Sequence, residues 1–274
     1  MPFTLSHPAA VLPLMRRPFS RTALVAGAVA PDMPYFVGTA GLPVNAQSWY
    51  EPFLNATTTH TALGAATVTL PYALVLWGLA QAGRRPLTAL LPLPAAPSSP
   101  RTAGTPIRRA GWVVLSVLIG IATHLVWDSF TEVGSPTWAR TLQHASTIGG
   151  LAVIAVYMWR GRARFLGGKG RTGPGNVTRH RVLLAMALFT VAGAVAHAWW
   201  RLAGPEAATT GLPLGVVIEG MLSDAAKGAG AGLIGALALH IAAWWIREAA
   251  TAVRPRGNTA RSVYDDTPGA DISA

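Results

Sequence analysis

The sequence predicts an all-α, polytopic membrane protein of about six transmembrane helices, the first of them broken or re-entrant, with both termini cytoplasmic. Three observations predict it. Hydrophobic residues fill 51% of the 274 positions and charged residues only 12%, about half the roughly 25% charge of an ordinary soluble domain. The mean hydropathy is +0.38. Apolar segments also alternate with basic clusters, as they do in a chain that crosses a bilayer back and forth.

Taken in order, segments of span length, about 20 residues or a little fewer, lie at roughly 60–83, 111–130, 182–203 and 225–246, and two shorter ones at roughly 20–38 and 145–160. Arg16, Arg17 and Arg21 stand before or at the first; Arg84, Arg85, Arg101, Arg108 and Arg109 fill the next basic loop. Arg160, Arg162, Arg164, Lys169, Arg171, Arg179 and Arg181 form the third cluster, and Arg247, Arg254, Arg256 and Arg261 the last. The intervening stretches 39–59, 131–144 and 204–224 hold a single basic residue, Arg140. Positive charge is retained on the cytoplasmic side, so this alternation sets the orientation. Loops 92–107 and 161–179 read as flexible connections. Residues 1–253 then form one helical membrane domain, with the candidate metal site in 1–160, and 254–274 a disordered cytoplasmic tail. Gly228 and Gly232 of GAGAGLIG allow close helix packing, read as packing within the monomer.

Composition also excludes. There is no cysteine, which removes disulfides, cysteine-based zinc fingers, Fe–S clusters and thiol catalysis. The formal charge of +11 does not imply a nucleic-acid partner, because the basic residues sit between spans. The opening MPFTLSHPAAVLPLMRR does not read as a signal peptide, since its positive charge follows the apolar stretch.

Ionisable groups at membrane depth are costly, and each asks for a function. In GIATHLVWDSFTEVG, His124 and Asp128 are four apart, on one helix face, with Glu132 four further on. An imidazole and a carboxylate at that spacing can grip one metal ion; alone, they could equally form a buried hydrogen bond. Asp32 lies between Pro31 and Pro34, where the helix from Ser20 should break, with an N-cap or turn role as the alternative. His60 and His144 stand at the outer starts of spans, and His7 just before a proline. His180, His197 and His240 read as ordinary loop or packing histidines, and Glu219 and Asp224 as interface charges. At ~1.5 Å per residue, His124, Asp128, Asp32 and His144 come roughly 20, 26, 17 and 24 Å above their basic clusters, and His60 roughly 36 Å. The first four converge on the outer half of the bilayer. A hairpin that returns residues 5–15 beside 20–32, turning at Arg16 and Arg17, would bring His7 to the depth of Asp32.

MPFTLSHPAAVLPL, APDMPYF, THTALG, THLVWDSFT and LQHASTIGGL, in that order, resemble an uncharacterised bacterial membrane family, domain-of-unknown-function family 4184, over most of residues 1–160. The resemblance implies a multi-pass protein of the bacterial cytoplasmic (inner) membrane and carries no established activity. Members often have a histidine where this chain has Glu132. A more distant likeness, in ligand order alone, is to the all-α zinc-dependent phospholipase C and P1-nuclease fold. It implies Asp32, His60, His124 and Asp128 around one zinc, with His7 and Asp128 helping to hold a second. The chain lacks that fold's N-terminal tryptophan ligand, and Ile148 stands where a His-x-x-x-Glu would end after His144, so one or two ions are implied.

The resulting expectation is a membrane-embedded metal-dependent hydrolase, using one or two divalent ions, zinc by preference. Zinc takes His and carboxylate ligands in a four-coordinate site that keeps a position for water. His7, Asp32, His60, His124 and Asp128 are the candidate ligands; Glu132 or His144 is the candidate general base or leaving-group acid. A site near headgroup depth implies membrane lipid as partner and a lipid or lipid-linked phosphoester as substrate. A cation transporter or channel, and a structural protein with a paired His/Asp core, are the alternatives. Broken spans in both halves would mark a transporter, and the clear break is at Pro31–Pro34 alone. Oligomeric state is not legible.

Overall fold

The computed structural model describes residues 4–38, 48–90, 105–131, 134–166, 175–203 and 212–253. Among these, all regular structure is helical. The N-terminal segment is a string of short pieces: a 3-10 turn at Thr4–Ser6, α1 (Pro8–Val11), a second 3-10 turn at Leu12–Leu14, and a reversal into α2 (Arg21–Val29). Ser20 caps α2, its hydroxyl accepting from the Ala23 N–H at 3.4 Å, which satisfies one of the helix's free donors. The Ser20 N–H itself donates to Ser116 Oγ at 3.0 Å.

Segment 20–38 is broken, for the reason its prolines supply. Pro31 and Pro34 have no N–H to give the helical ladder, and the chain passes through a 3-10 turn at Ala30–Asp32 before resuming as α3 (Met33–Gly38). Three short helices follow, α4 (Glu51–Leu54), α5 (Ala56–Thr59) and α6 (Ala62–Gly64). A π-type turn at Ala65–Thr69 then leads into α7 (Leu70–Leu90). The long helices are α8 (Pro106–Thr131), α9 (Pro136–Leu166), α10 (Asn176–Ala203) and α11 (Leu214–Val253).

Four helical stretches are long and apolar enough to cross a membrane: Ala62–Leu90, Pro106–Thr131, Val177–Ala203 and Leu214–Ala252. They match the four long apolar segments of the sequence. The broken segment 20–38 and the segment 145–160, which lies inside α9, are not among them. On α10, Leu184, Leu188, Phe189, Val191 and Val195 are all exposed, as side chains must be where lipid is the solvent. The connection expected over 161–179 is shorter at both ends, because α9 continues to Leu166 and α10 begins at Asn176. Residues 92–104, the middle of that connection (167–174) and the tail 254–274 lie outside the described residues.

The packing that matters for the site is α2 on α8. The helices touch backbone to backbone: a Cβ on Gly27 would stand 2.2 Å from the Val117 carbonyl oxygen, and one on Gly120 would stand 2.3 Å from that of Leu24. Small residues permit this approach where no hydrophobic effect drives helices together. Ala23, Ala30, Val117, Ile121 and Ala73 of α7 form the core around the crossing. The N-terminal segment lies against α9, where Gly150 leaves room for Ser6, and the Trp127 indole donates to Ser146 Oγ, joining α8 to α9. A similar crossing joins α10 to α11 at Gly193, Gly228 and Gly232, so Gly228 and Gly232 do pack within the chain.

Candidate metal centre

Each candidate ligand reaches the centre by a different structural device. His124 and Asp128 are on successive turns of α8 and are buried. Asp32 ends the 3-10 turn that interrupts α2 and α3 and is 2% exposed. The carbonyl of Pro31, at that break, accepts from the buried Thr59 hydroxyl at 2.7 Å, and the Thr59 carbonyl accepts from Thr69 Oγ1 at 3.0 Å. This chain of bonds ties the broken helix to the turn carrying His60.

His60 itself departs from the expected geometry. The sequence puts it at the outer start of one span, too high by roughly ten ångströms or more on a uniform helical rise. Instead it is the C-cap residue of α5, in a turn, and a new helix starts after it with Thr61 as N-cap. The chain therefore bends back toward the centre. Gly64 makes that bend possible, since a Cβ there would stand 1.7 Å from the Thr58 carbonyl oxygen.

The four groups Asp32, His60, His124 and Asp128 each offer one ligand atom, all within 4.8 Å of one another. His60 Nε2 and His124 Nε2 are 3.3 Å apart. Asp128 Oδ2 is 3.4 Å from both nitrogens, and Asp32 Oδ1 is 3.7 Å from His60 Nε2 and 3.5 Å from His124 Nε2. The other ring nitrogens define the tautomers. His124 Nδ1 lies 2.8 Å from the Ala28 carbonyl oxygen and His60 Nδ1 lies 2.7 Å from that of Ala56. A carbonyl only accepts, so Nδ1 carries the proton in each ring. Each Nε2 then faces the centre, and in the neutral ring it offers a lone pair there. A backbone carbonyl that orients a histidine in this way is the usual support of a metal ligand.

His7 completes the cluster from the other side. Residues 4–14 do run back beside α2, and the ring is 1% exposed. It stacks on His124 with centroids 3.8 Å apart and an interplanar angle of 27°. Its Nε2 is 3.6 Å from Asp128 Oδ1 and 4.0 Å from Asp32 Oδ2. Both His7 nitrogens, Asp32 Oδ1 and both Asp128 oxygens are buried without a hydrogen-bond partner. Buried carboxylates left this way cost several kcal/mol each, on the order of 20 kcal/mol in the idealised low-dielectric limit. A divalent cation is the species that satisfies convergent lone pairs and two negative charges together. The buried group can hold a metal ion.

The chain matches the family described as a domain of unknown function (DUF4184) over residues 1–242. It belongs to that family. The match takes in all five residues of the cluster and continues past residue 160, through α10 and most of α11. No curated protein and no solved structure matches the chain.

The two residues expected to handle protons are not in the cluster. Glu132 lies outside the described residues. His144 is on α9, its side chain 63% exposed and its Nε2 3.8 Å from Glu219 Oε1. It does share a wall with the centre: a cavity of about 480 Å³ is lined by Asp32, Tyr35, Gln143, His144, Ser223 and Lys227, among others. Sequence reasoning missed Thr59, whose hydroxyl acts on a carbonyl remote in sequence, and Lys227, a cation well inside an apolar helix and therefore a signal in the sequence. Lys227 Nζ is 3.1 Å from Asp224 Oδ1, whose other oxygen takes Arg201 at 2.7 Å. Asp224 is thus the centre of an ion-pair trio with one surplus positive charge.

Proposed function

We propose that this protein is a membrane-embedded, metal-dependent hydrolase acting on a lipid or lipid-linked phosphoester. The observation that carries it is the convergence of two Nε2 atoms and two carboxylate oxygens, 3.3–3.7 Å apart along five edges, at a buried point. Ligands 2.0–2.1 Å from a tetrahedral zinc stand about 3.3–3.4 Å from one another. An octahedral magnesium at similar bond lengths would need about 2.9 Å. The spacing and the two imidazoles both favour zinc.

A zinc held by these residues with one position left to water would supply hydroxide at neutral pH, the pKa of that water falling to about 7. In phosphoester hydrolysis the water oxygen is joined to phosphorus, the bond from phosphorus to the leaving oxygen breaks, and the leaving oxygen takes the proton that the water gave up. His144, which lines the same cavity as Asp32, is the residue proposed to pass that proton, with Glu132 as the other candidate. The surplus cation at Lys227 and Arg201 suits a phosphoester anion. With the basic loops cytoplasmic, the cavity opens in the outer half of a bacterial inner membrane, at the level of lipid headgroups.

The test is metal content by mass spectrometry on detergent-purified protein, beside His124→Ala and the near-isosteric Asp128→Asn, followed by release of water-soluble phosphate from phospholipid vesicles. Zinc bound by wild type and lost in both variants, with hydrolysis that follows the metal, is the expected result. Wild type that takes up no zinc on reconstitution overturns the reading. Bound zinc with cation flux across vesicles and no hydrolysis replaces the enzyme by a transporter.

A further inference from the structure

We infer that Arg140, Arg201 and Lys227 form a phosphate-binding site beside the metal centre, and that the lipid substrate carries a second phosphate which sits there. The inference rests on the metal reading for the phosphate that reacts, and deepens it by naming the substrate class.

The sequence supplies the first argument. Every Lys and Arg of the chain except these three falls in the four basic clusters that set its orientation. Arg201 and Lys227 lie instead within stretches long and apolar enough to cross a membrane, and Arg140 on the side that the clusters avoid. Cations in such places are exceptions that need a reason. The three come from separate helices, α9, α10 and α11, yet all line one cavity of about 280 Å³. That cavity adjoins the larger one bordered by Asp32, since Glu219, Ser223 and Lys227 are walls of both.

The second argument is that two of these cations are held in place. Asp224 takes Arg201 at 2.7 Å on one oxygen and Lys227 at 3.1 Å on the other. Gly220 lets the guanidinium lie against α11, because a Cβ there would stand 2.3 Å from Arg201 Nη2 and 2.4 Å from its Cζ. Arg201 and Lys227 each carry more N–H donors than Asp224 takes, and their side chains are 37% and 39% exposed. The other carboxylate of the wall, Glu219, lies 3.8 Å from His144 Nε2. Three cations against two carboxylates leave the cavity one net positive charge. Donors from three helices surround a tetrahedral phosphate, whereas a carboxylate offers two oxygens in one plane. A ligand that fills both adjoining cavities then bears two phosphates, one at the metal centre and one on the cations. A lipid diphosphate is the smallest molecule of that class.

The experiment is titration calorimetry of hexyl phosphate and hexyl diphosphate on the detergent-purified full chain, metal-free and zinc-loaded, for wild type, Arg140→Gln and Lys227→Gln. Hexyl phosphate is expected to bind metal-free wild type and to weaken by roughly 10–100-fold in each variant, the worth of one hydrogen bond to a charged group. With zinc, hexyl diphosphate is expected to bind more tightly than hexyl phosphate by a similar factor, and both variants to lose that preference while keeping their zinc. Equal affinity for the two probes in zinc-loaded wild type, or affinities that neither variant moves, overturns the second phosphate. Inorganic pyrophosphate that binds as tightly as hexyl diphosphate overturns a lipid as its source. Protein that takes up no zinc but binds hexyl phosphate through Arg140 overturns the metal reading and supports the cation site. Arg140 is exposed, so Arg140→Gln decides the question should Lys227→Gln fail to fold.

Discussion

Gly120 is remote from the metal ligands by one helical turn, yet Gly120→Ala is expected to damage the centre. The added Cβ would stand 2.3 Å from the Leu24 carbonyl oxygen, 2.8 Å from the Ala28 nitrogen and 2.9 Å from the Gly27 Cα. All three are backbone atoms, which no rotamer change can move aside. Ordinary contact is about 3.5 Å, so α2 and α8 must part by roughly 1 Å at the crossing. The His124 Nδ1 to Ala28 oxygen distance, 2.8 Å, spans the same gap and would open beyond hydrogen-bond range, which ends near ~3.2 Å. Asp32 follows α2 while His124 and Asp128 follow α8, so the 3.5 Å edge between Asp32 and His124 widens as well. Loss of a bond that orients a metal-ligating histidine typically costs about 10–100-fold in metal affinity, and backbone overpacking costs roughly 1–3 kcal/mol of stability. Zinc affinity is to be measured by competition against a chromophoric chelator on detergent-purified protein. Gly111→Ala on the same helix, where a Cβ meets nothing within 4 Å, is the control and should bind as wild type does. A Gly120→Ala protein with wild-type zinc affinity would refute the claim that the glycine crossing sets the site.

Two further outcomes follow from the same geometry. Thr59→Val keeps shape but strips the buried Pro31 carbonyl of its 2.7 Å donor; an unsatisfied buried acceptor costs about 1–3 kcal/mol, and a lowered unfolding temperature with weakened zinc binding should show it. Equal unfolding temperatures would mean the break at Asp32 is held by other contacts. His144→Ala should leave zinc stoichiometry unchanged while slowing phosphoester hydrolysis by roughly 10²–10⁴, the usual worth of an acid or base; an unchanged rate removes His144 from the reaction, and lost metal shows that it acts on the centre.

The reading of His60 shows where sequence reasoning stops. A uniform helical rise placed it above the other ligands, because an apolar run carries no mark of where it bends. The bend comes from Thr61 capping a new helix and from Gly64 packing on the Thr58 carbonyl, both settled by contacts with the turn before them. Asp32 was the opposite case: prolines act locally, through a missing N–H, and so the break is written in the residues themselves.

What the sequence determined by itself follows from local chemistry. The four described helices long and apolar enough to cross a membrane come from apolar length, and the His124–Asp128 face from helical period. The break at Asp32 comes from proline, and membership of the family from motif order. Only the tertiary structure decided that Asp32, His60, His124 and Asp128 meet, that His7 faces the opposite oxygens of the same carboxylates, and that His144 stands apart on a cavity wall. Ligand geometry depends on backbone approaches of a few ångströms between elements remote in sequence, at Gly27 and Gly120 and at Thr59 and Pro31. Those distances are properties of packing, to which composition and periodicity are blind.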